Sequence, residues 1–318
     1  MNSKERPRVL LLGNGILKTF LTGGVSWGDL LKQYTKNPKI GSDFESKIPF
    51  PLQVVARTED HVDEMCKAIK DTMWCLTLTE NFRIFIQRIL SLGFKDIITT
   101  NYGYEIESAI CKVEKISDAK LKSIQWHSKD VLRGESKYLL HTCYPCTADD
   151  KESSTVRVWH IHGEARKPDS MIIGHYYYGN LLSKYQVYLK NRSNTYKWNQ
   201  EKCIAGQCHS WLDSFILGDV YILGFGFDLS ELDLWWLLNR KKREKAEHGE
   251  TVFYEPESDE NYNVRLLLES YGCICESLNY SKKNDREVNY QKFYEDVLKN
   301  MQDRICRKQE SLLLVGQV

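Results

Sequence analysis

Arg8-Val9-Leu10-Leu11-Leu12-Gly13-Asn14-Gly15 decides the fold class: a short, unbroken apolar run that stops on a Gly-x-Gly turn. Unbroken rather than alternating apolar residues suit a strand buried on both faces, as in a parallel sheet. The same pattern recurs downstream. Asp96-Ile97-Ile98-Thr99-Thr100-Asn101 is a second run, Val156 to His162 a third, and Asp219-Val220-Tyr221-Ile222-Leu223-Gly224 a fourth. Thr251-Val252-Phe253-Tyr254 and Cys273-Ile274-Cys275 follow, and Met171-Ile172-Ile173 reads as a short strand extension. Between the runs lie helical patterns. Thr79 to Leu92 carries Phe82, Phe85, Ile86, Ile89 and Leu90 on one stripe. Leu229 to Lys245 opens with Ser230 and Asp233 at capping-box spacing and ends in a basic last turn. Asn261 to Ser270 and Tyr290 to Ile305 complete the set. Strands alternating with helices predict an α/β fold with a Rossmann-like, doubly wound parallel sheet.

The spacing is uneven. About 80 residues separate Gly15 from Asp96, with helical patterns at Trp27–Tyr34, Glu59–Thr72 and Thr79–Leu92 and no clear strand. A Rossmann crossover needs one helix, so this stretch reads as a helical insertion, about 26–95. A second, Tyr-rich insertion spans about 174–215. The sheet then comes from about 8–16, 96–163 and 219–305. No Pro/Gly/Ser linker divides the chain, so residues 1–318 are expected to form one discontinuous domain.

Composition narrows the partners. The 318 residues carry 44 basic and 43 acidic side chains, a net charge of +1. Such a balance provides no broad footprint for nucleic acid. The basic run Arg240 to Lys245 reads as a solvated helix end. No run approaches the roughly 20 apolar residues of a membrane span. The N-terminal segment lacks the long apolar stretch of a secretory signal, so a cytoplasmic protein is expected. Ten cysteines are scattered along the chain and suit free buried thiols better than a disulfide framework. Cys143-Tyr144-Pro145-Cys146, with Cys203 and Cys208 beside His209, offers four thiolates of the kind zinc takes. The second spacing is loose and nearly 60 residues intervene, so no metal is expected.

In open parallel sheets, ligands bind outside the carboxyl ends of the strands. The residues to inspect there are Gly13-Asn14-Gly15, Thr99-Thr100-Asn101-Tyr102, His162-Gly163 and Gly224-Phe225-Gly226. Gly13 and Gly15 would turn the backbone tightly and present N–H groups to a phosphate. A third glycine would be wanted at position 18, which is Lys18. Each Gly-x-Gly also reads as a plain turn, and Asn101 as an Asx-turn residue. His160 and His162, two apart, would share a strand face. His162, before Gly163, can project into the crevice. His175, among Tyr176, Tyr177 and Tyr178, reads as part of an aromatic wall.

Taken in order, these motifs resemble the sirtuin superfamily, and more narrowly its sirtuin-like NAD-hydrolase branch of bacterial antiphage defence effectors. The residues that carry the resemblance are Gly13-Asn14-Gly15, Ser26 to Leu31, Thr99 to Tyr102, Ile161-His162-Gly163-Glu164, Leu223 to Phe227, and Ile173 through Tyr185. It covers roughly residues 9 to 240. The chain departs from sirtuin deacylases at two places. Leu17 to Gly24 replaces their long Gly/Ser/Pro/Asp/Phe/Arg loop, and the one CxxC precedes His162 rather than following it in a pair. Both departures argue against recognition of an acyl-lysine peptide and leave dinucleotide chemistry intact.

The resemblance implies NAD as substrate, with Asn101 and His162 as catalytic residues. Gly13, Asn14, Gly15, Thr99, Thr100, Gly224 and Gly226 would bind the dinucleotide. The expected reaction is hydrolysis of the nicotinamide–ribose bond, in which the pyridinium leaves neutral and needs no acid. Asn101 would hydrogen-bond the ribose hydroxyls or the attacking water, and His162 would be general base near its ordinary pKa. A homo-oligomer or partner-gated assembly is expected of a defence effector. Two alternatives stand beside this: a non-catalytic NAD- or ADP-ribose-binding regulatory module, and a sirtuin-type protein deacylase or ADP-ribosyltransferase.

Overall fold

The first apolar run forms β1, Arg8–Leu12, near the middle of a sheet of eight strands. The others are β2 Asp96–Thr99, β3 Trp126–His127, β4 Thr142–Thr147, β5 Thr155–His160, β6 Asp219–Leu223, β7 Thr251–Pro256 and β8 Cys273–Leu278. Their order across the sheet is β3-β4-β5-β2-β1-β6-β7-β8. The six strands from β5 to β8 in that order run parallel, and β4 and β3 extend the β5 edge antiparallel. β2 lies on one side of β1 and β6 on the other, so the order reverses at β1, where such sheets open a crevice. The computed structural model describes residues 6–22, 27–37, 39–41, 44, 47–59, 61–73, 76–128, 137–148, 155–195, 210–244, 248–257, 262–278 and 289–315.

Burial on both faces follows from the unbroken apolar runs. Leu10, Leu12, Ile97, Val158, Tyr221 and Val252 enter one core layer. Val9, Leu11, Ile98, Trp159, Ile222 and Phe253 enter the other. Each such side chain contributes roughly 1.5–3 kcal/mol relative to exposure. Between β1 and β2 come α1 Asn14–Phe20, α2 Trp27–Gln33, α3 Phe50–Thr58, α4 Val62–Met73 and α5 Glu80–Ser91, with no named strand among the described residues. The α5 stripe, Phe82, Phe85, Ile86 and Ile89, is buried, and Thr79 caps the helix by accepting from the Phe82 N–H at 3.2 Å. α6 Glu105–Ile110 and α7 Asp118–Ile124 follow β2. α8 His175–Thr195 and α9 Trp211–Leu217 connect β5 to β6. α10 Leu232–Arg243, α11 Tyr262–Ser270 and α12 Tyr290–Val315 complete the order. No helix among the described residues is long and apolar enough to cross a membrane.

Several local expectations need correction. Met171-Ile172-Ile173 is fully buried but not a strand; the Ile172 N–H donates to the His162 carbonyl at 2.8 Å, tucking the segment under the end of β5. The Cys143–Cys146 motif, considered for zinc, forms most of β4. Side chains three apart on a strand point to opposite faces, so Cys143 enters one core layer and Cys146 the other. That pair cannot chelate a single ion; Cys203, Cys208 and His209 lie outside the described residues, as does Ser26. The seven described cysteines are free. The basic run is not wholly solvated either. Lys241 turns inward and its Nζ donates to the carbonyls of Phe215 at 2.9 Å and Gly218 at 2.6 Å, closing the C-terminal end of α9.

Candidate active site

Both Gly-x-Gly turns meet at the reversal point. The Gly13 N–H donates to the Leu223 carbonyl and the Gly15 N–H to the Gly224 carbonyl, each at 2.9 Å. These two amides are therefore used to hold β1 against β6, not presented to a phosphate. The glycines are needed because the backbones touch. A Cβ on Gly13 would press into the Gly224 carbonyl oxygen, and Gly224 itself has φ +73. Gly13→Ala must push one backbone off the other and is expected to lower stability by about 1–3 kcal/mol, read from urea denaturation. An unchanged midpoint would contradict the contact. Asn14 opens α1, while a Cβ on Gly226 would meet nothing within 4 Å.

Strand register sets Asn101 and His162 just past the ends of neighbouring strands. Thr99 of β2 pairs with His160 of β5, and the chain runs two residues further on each side. The buried Thr99 hydroxyl donates to the Leu12 carbonyl at 2.9 Å and accepts the Asn101 N–H at 3.1 Å. Thr99 thus ties β2 to β1 and sets the turn that aims Asn101, and Thr100 sits half-buried between them. Asn101 is 8% exposed, and its buried Nδ2 has no hydrogen-bond partner among the described residues. An unpartnered buried donor is costly unless something else accepts from it.

His160 and His162 do not share a face. β5 ends at His160, and Ile161 and His162 lie in the turn that follows, which re-aims the second ring. His160 packs edge-on to Tyr104 and Tyr144, in one layer. His162 meets Tyr178 of α8 in the other, at 5.3 Å between ring centroids. His160 Nδ1 lies 2.8 Å from the Asn101 carbonyl and Nε2 lies 2.7 Å from Glu107 Oε1 of α6. A carbonyl and a carboxylate both accept, so the ring donates from both nitrogens. Burial opposes a charged ring, but the Glu107 carboxylate outweighs it and holds the imidazole up to about 9. The sign follows from linkage: His160 keeps a proton in the folded chain that the unfolded chain loses above its ordinary 6.5. Its contribution to stability is fully present below that pH and disappears as pH rises through 9. Urea midpoints should fall more steeply between pH 6.5 and 9.5 for the wild type than for His160→Gln. Parallel slopes would contradict the assignment.

The residue that holds His162 was read as a helix cap. α10 begins at Leu232, with Glu231 as its N-cap residue and no side-chain cap bond. The Ser230 N–H is taken by Asp228 Oδ1, and Asp233 turns away from the helix backbone to accept from His162 Nε2 at 2.8 Å. Phe227 anchors this loop: its φ is +48, rare for a bulky residue, and its ring is buried against Trp235 and Phe253. Asp233 is fully buried, and Glu231 contributes a second carboxylate within the same cluster. Burial tends to lower His162, but the Asp233 carboxylate raises it above the ordinary histidine value, contrary to an unperturbed base. Asp233 lies 71 residues from His162, and an acid in a first helical turn looks the same whether it caps or reaches across. No local signal in the sequence separates the two.

A cavity of about 640 Å³ opens on the other side of the β1 turn, along Gly15, Lys18, Gly224, Gly226, Glu255 and Tyr290. Asn101 and His162 do not line it. The cavity and the polar pair thus flank the Gly13–Gly15 turn, one at the ends of β6 and β7, the other at the ends of β2 and β5. The family described as the SIR2-like domain matches residues 95–275, more than half of the chain. The chain belongs to the SIR2-like family. A comparison with curated proteins gave no match. The SIR2-like match runs from the residue before β2 into β8 and includes Asn101, His162, Gly224, Gly226 and Asp233. It leaves out β1 with Gly13, Asn14 and Gly15, and also α12. The SIR2-like chain therefore completes its crevice with two elements outside the matched residues, since Tyr290 of α12 and Gly15 both face the cavity.

Proposed function

We propose that this SIR2-like chain hydrolyses NAD at the nicotinamide–ribose bond, giving nicotinamide and ADP-ribose. Membership of a family of generally NAD-dependent enzymes supports the substrate class. The observation that carries the reaction is what stands at two adjacent strand ends: the unpartnered Asn101 Nδ2 after β2, and after β5 a histidine held by a buried carboxylate. The amide donor suits a ribose hydroxyl or the attacking water. His162 suits removal of the proton from that water, a role worth about 10²–10⁴-fold. The leaving pyridinium departs neutral, so no acid is required, and the transition state is oxocarbenium-like as in other glycosidic cleavages. A cavity of about 640 Å³ lies in the range of ligand sites and suits the adenosine half. Gly224 and Gly226 border it, while Thr99 acts by shaping the turn. The separation of Cys143 from Cys146 supports a dinucleotide enzyme over a peptide deacylase that needs a zinc module. Assembly as a homo-oligomer or with a partner, and a role in antiphage defence, belong to the same reading and rest on the sequence resemblance.

The test is product analysis of NAD incubated with purified protein over a range of protein concentrations, with the oligomer sized at each. Equimolar nicotinamide and ADP-ribose are expected. Intact NAD that nevertheless stabilises the protein thermally would identify a binding module. Loss of the acyl group from an acyl-lysine peptide would identify a deacylase.

A further inference from the structure

Three ionisable side chains converge where the β6–α10 loop crosses the end of β5. His162, Glu231 and Asp233 each bring one donor atom within 4.8 Å of the others. His162 and Asp233 are buried; Glu231 is the partly exposed member. Among the described residues Asp233 Oδ1 and Glu231 Oε2 make no hydrogen bond of ordinary geometry, although the Tyr185 phenol of α8 lies toward Asp233. The remaining oxygen of Asp233 faces His162 Nε2 at 2.8 Å, and a carboxylate can only accept there, so Nε2 carries the proton. His162 Nδ1 makes no hydrogen bond among the described residues. Among the described residues the surroundings offer no counter-charge to the two acids other than this ring. Tyr178 of α8 packs edge-on to the ring, Tyr102 after β2 and Tyr185 of α8 lie near the acids, and burial keeps all three phenols neutral, far above the ordinary phenol range. Asp228, on the same loop as Glu231, adds only negative charge. Burial, first, and then the neighbouring acids push the Glu231 carboxyl up to about 7, while His162 tempers it.

We propose that Asp233 and Glu231 are positioning residues for His162: Asp233 fixes the Nε2–H tautomer and leaves Nδ1 as the base, and Glu231 adds to the negative field that retains the proton. This rests on the hydrolase reading for its chemistry, but not for its test. Hydrolysis of NAD consumes water and releases nicotinamide, ADP-ribose and one proton. The O–H bond of water breaks as the C1′–O bond forms, its proton goes to Nδ1, and the glycosidic pair of electrons leaves with nicotinamide. A ring whose Nε2–H is already bonded to a carboxylate accepts that proton without reorienting. The same logic explains why a second carboxylate that holds a histidine's ring is worth orders of magnitude in other enzymes.

The experiment is nitrogen-15 NMR of histidine-labelled full-length protein, with His162 assigned from the resonance lost in His162→Gln. In the wild type, His162 should be in the Nε2–H form and titrate above the ordinary histidine range. Asp233→Asn should lower that titration by about one pH unit or more and change the tautomer. Glu231→Gln, at a partly exposed position, should lower it by less and leave the tautomer unchanged. Wild-type titration and tautomer in both variants would overturn the proposal, and so would an Nδ1–H tautomer in the wild type. Should Asp233→Asn fail to fold, Glu231→Gln and the wild-type tautomer still decide. In nicotinamide release, Asp233→Asn should lower kcat by at least about 10²-fold with KM little changed, and Asp233→Glu should restore part of it. A wild type that titrates as predicted but releases no nicotinamide would defeat the hydrolase reading and leave the positioning role standing.

Discussion

Asp96→Ala is expected to lower the free energy of unfolding by about 3–5 kcal/mol, the scale set by breaking a buried ion pair from one side. Asp96 is fully buried at the start of β2 and accepts from four donors. Arg157 Nε and Nη2 of β5 approach its two oxygens at 2.7 Å each, Trp159 Nε1 at 2.8 Å and the Ser214 hydroxyl of α9 at 2.8 Å. One side chain therefore fastens two neighbouring strands and the helix that covers them. Truncation leaves a largely buried guanidinium without its carboxylate and orphans an indole N–H and a hydroxyl. Asp96→Asn should fall between wild type and alanine, since the amide keeps an acceptor oxygen but loses the charge. Chemical denaturation followed by circular dichroism measures both. A loss below about 1 kcal/mol for alanine would mean that the network is not what holds β5 to β2.

The largest expected effect on activity is at His162 and Asn101. His162→Ala and Asn101→Ala should each reduce nicotinamide release by about 10²–10⁴-fold. The double variant should be little worse than the weaker single one, because groups that act on one transition state are not additive. Asn101 does not carry the fold as Asp96 does: its Nδ2 has no partner to lose, and its backbone, which receives His160, survives truncation. Asn101→Ala should therefore denature near the wild-type midpoint, whereas His162→Ala strips the buried Asp233 of its donor and should lose stability as well as turnover. At Asn101 the pairing of lost turnover with kept stability is what distinguishes a catalytic role from a structural one.

The parallel sheet was legible because each inner strand must bury both faces, and that requirement writes unbroken runs such as Val9–Leu12 and Val220–Leu223 into the chain. The edge was not. β3 and β4 extend it antiparallel, and Pro145 and the two cysteines within Thr142–Thr147 break the apolar run that marks the inner strands. The placement of Asn101 and His162 just past strand ends was legible because a polar residue that closes an apolar run stands out. Their supports were not. Asp233 and Glu107 reach His162 and His160 from helices that follow other strands, and such long-range pairings leave no periodic trace. Gly13 and Gly15 show the limit in the other direction. A Gly-x-Gly was visible, but only the close approach of Gly224 reveals that the Gly13 and Gly15 amides bond to carbonyls at the end of β6.

Under the proposed function, Asn101 and His162 at the carboxyl ends of β2 and β5 cleave NAD. Nicotinamide release measured side by side for wild type and His162→Ala, at matched oligomeric state, tests it most directly. Steady release by the wild type, with a loss of at least about 10²-fold in the variant, is the predicted result. Equal rates for the two proteins would contradict it.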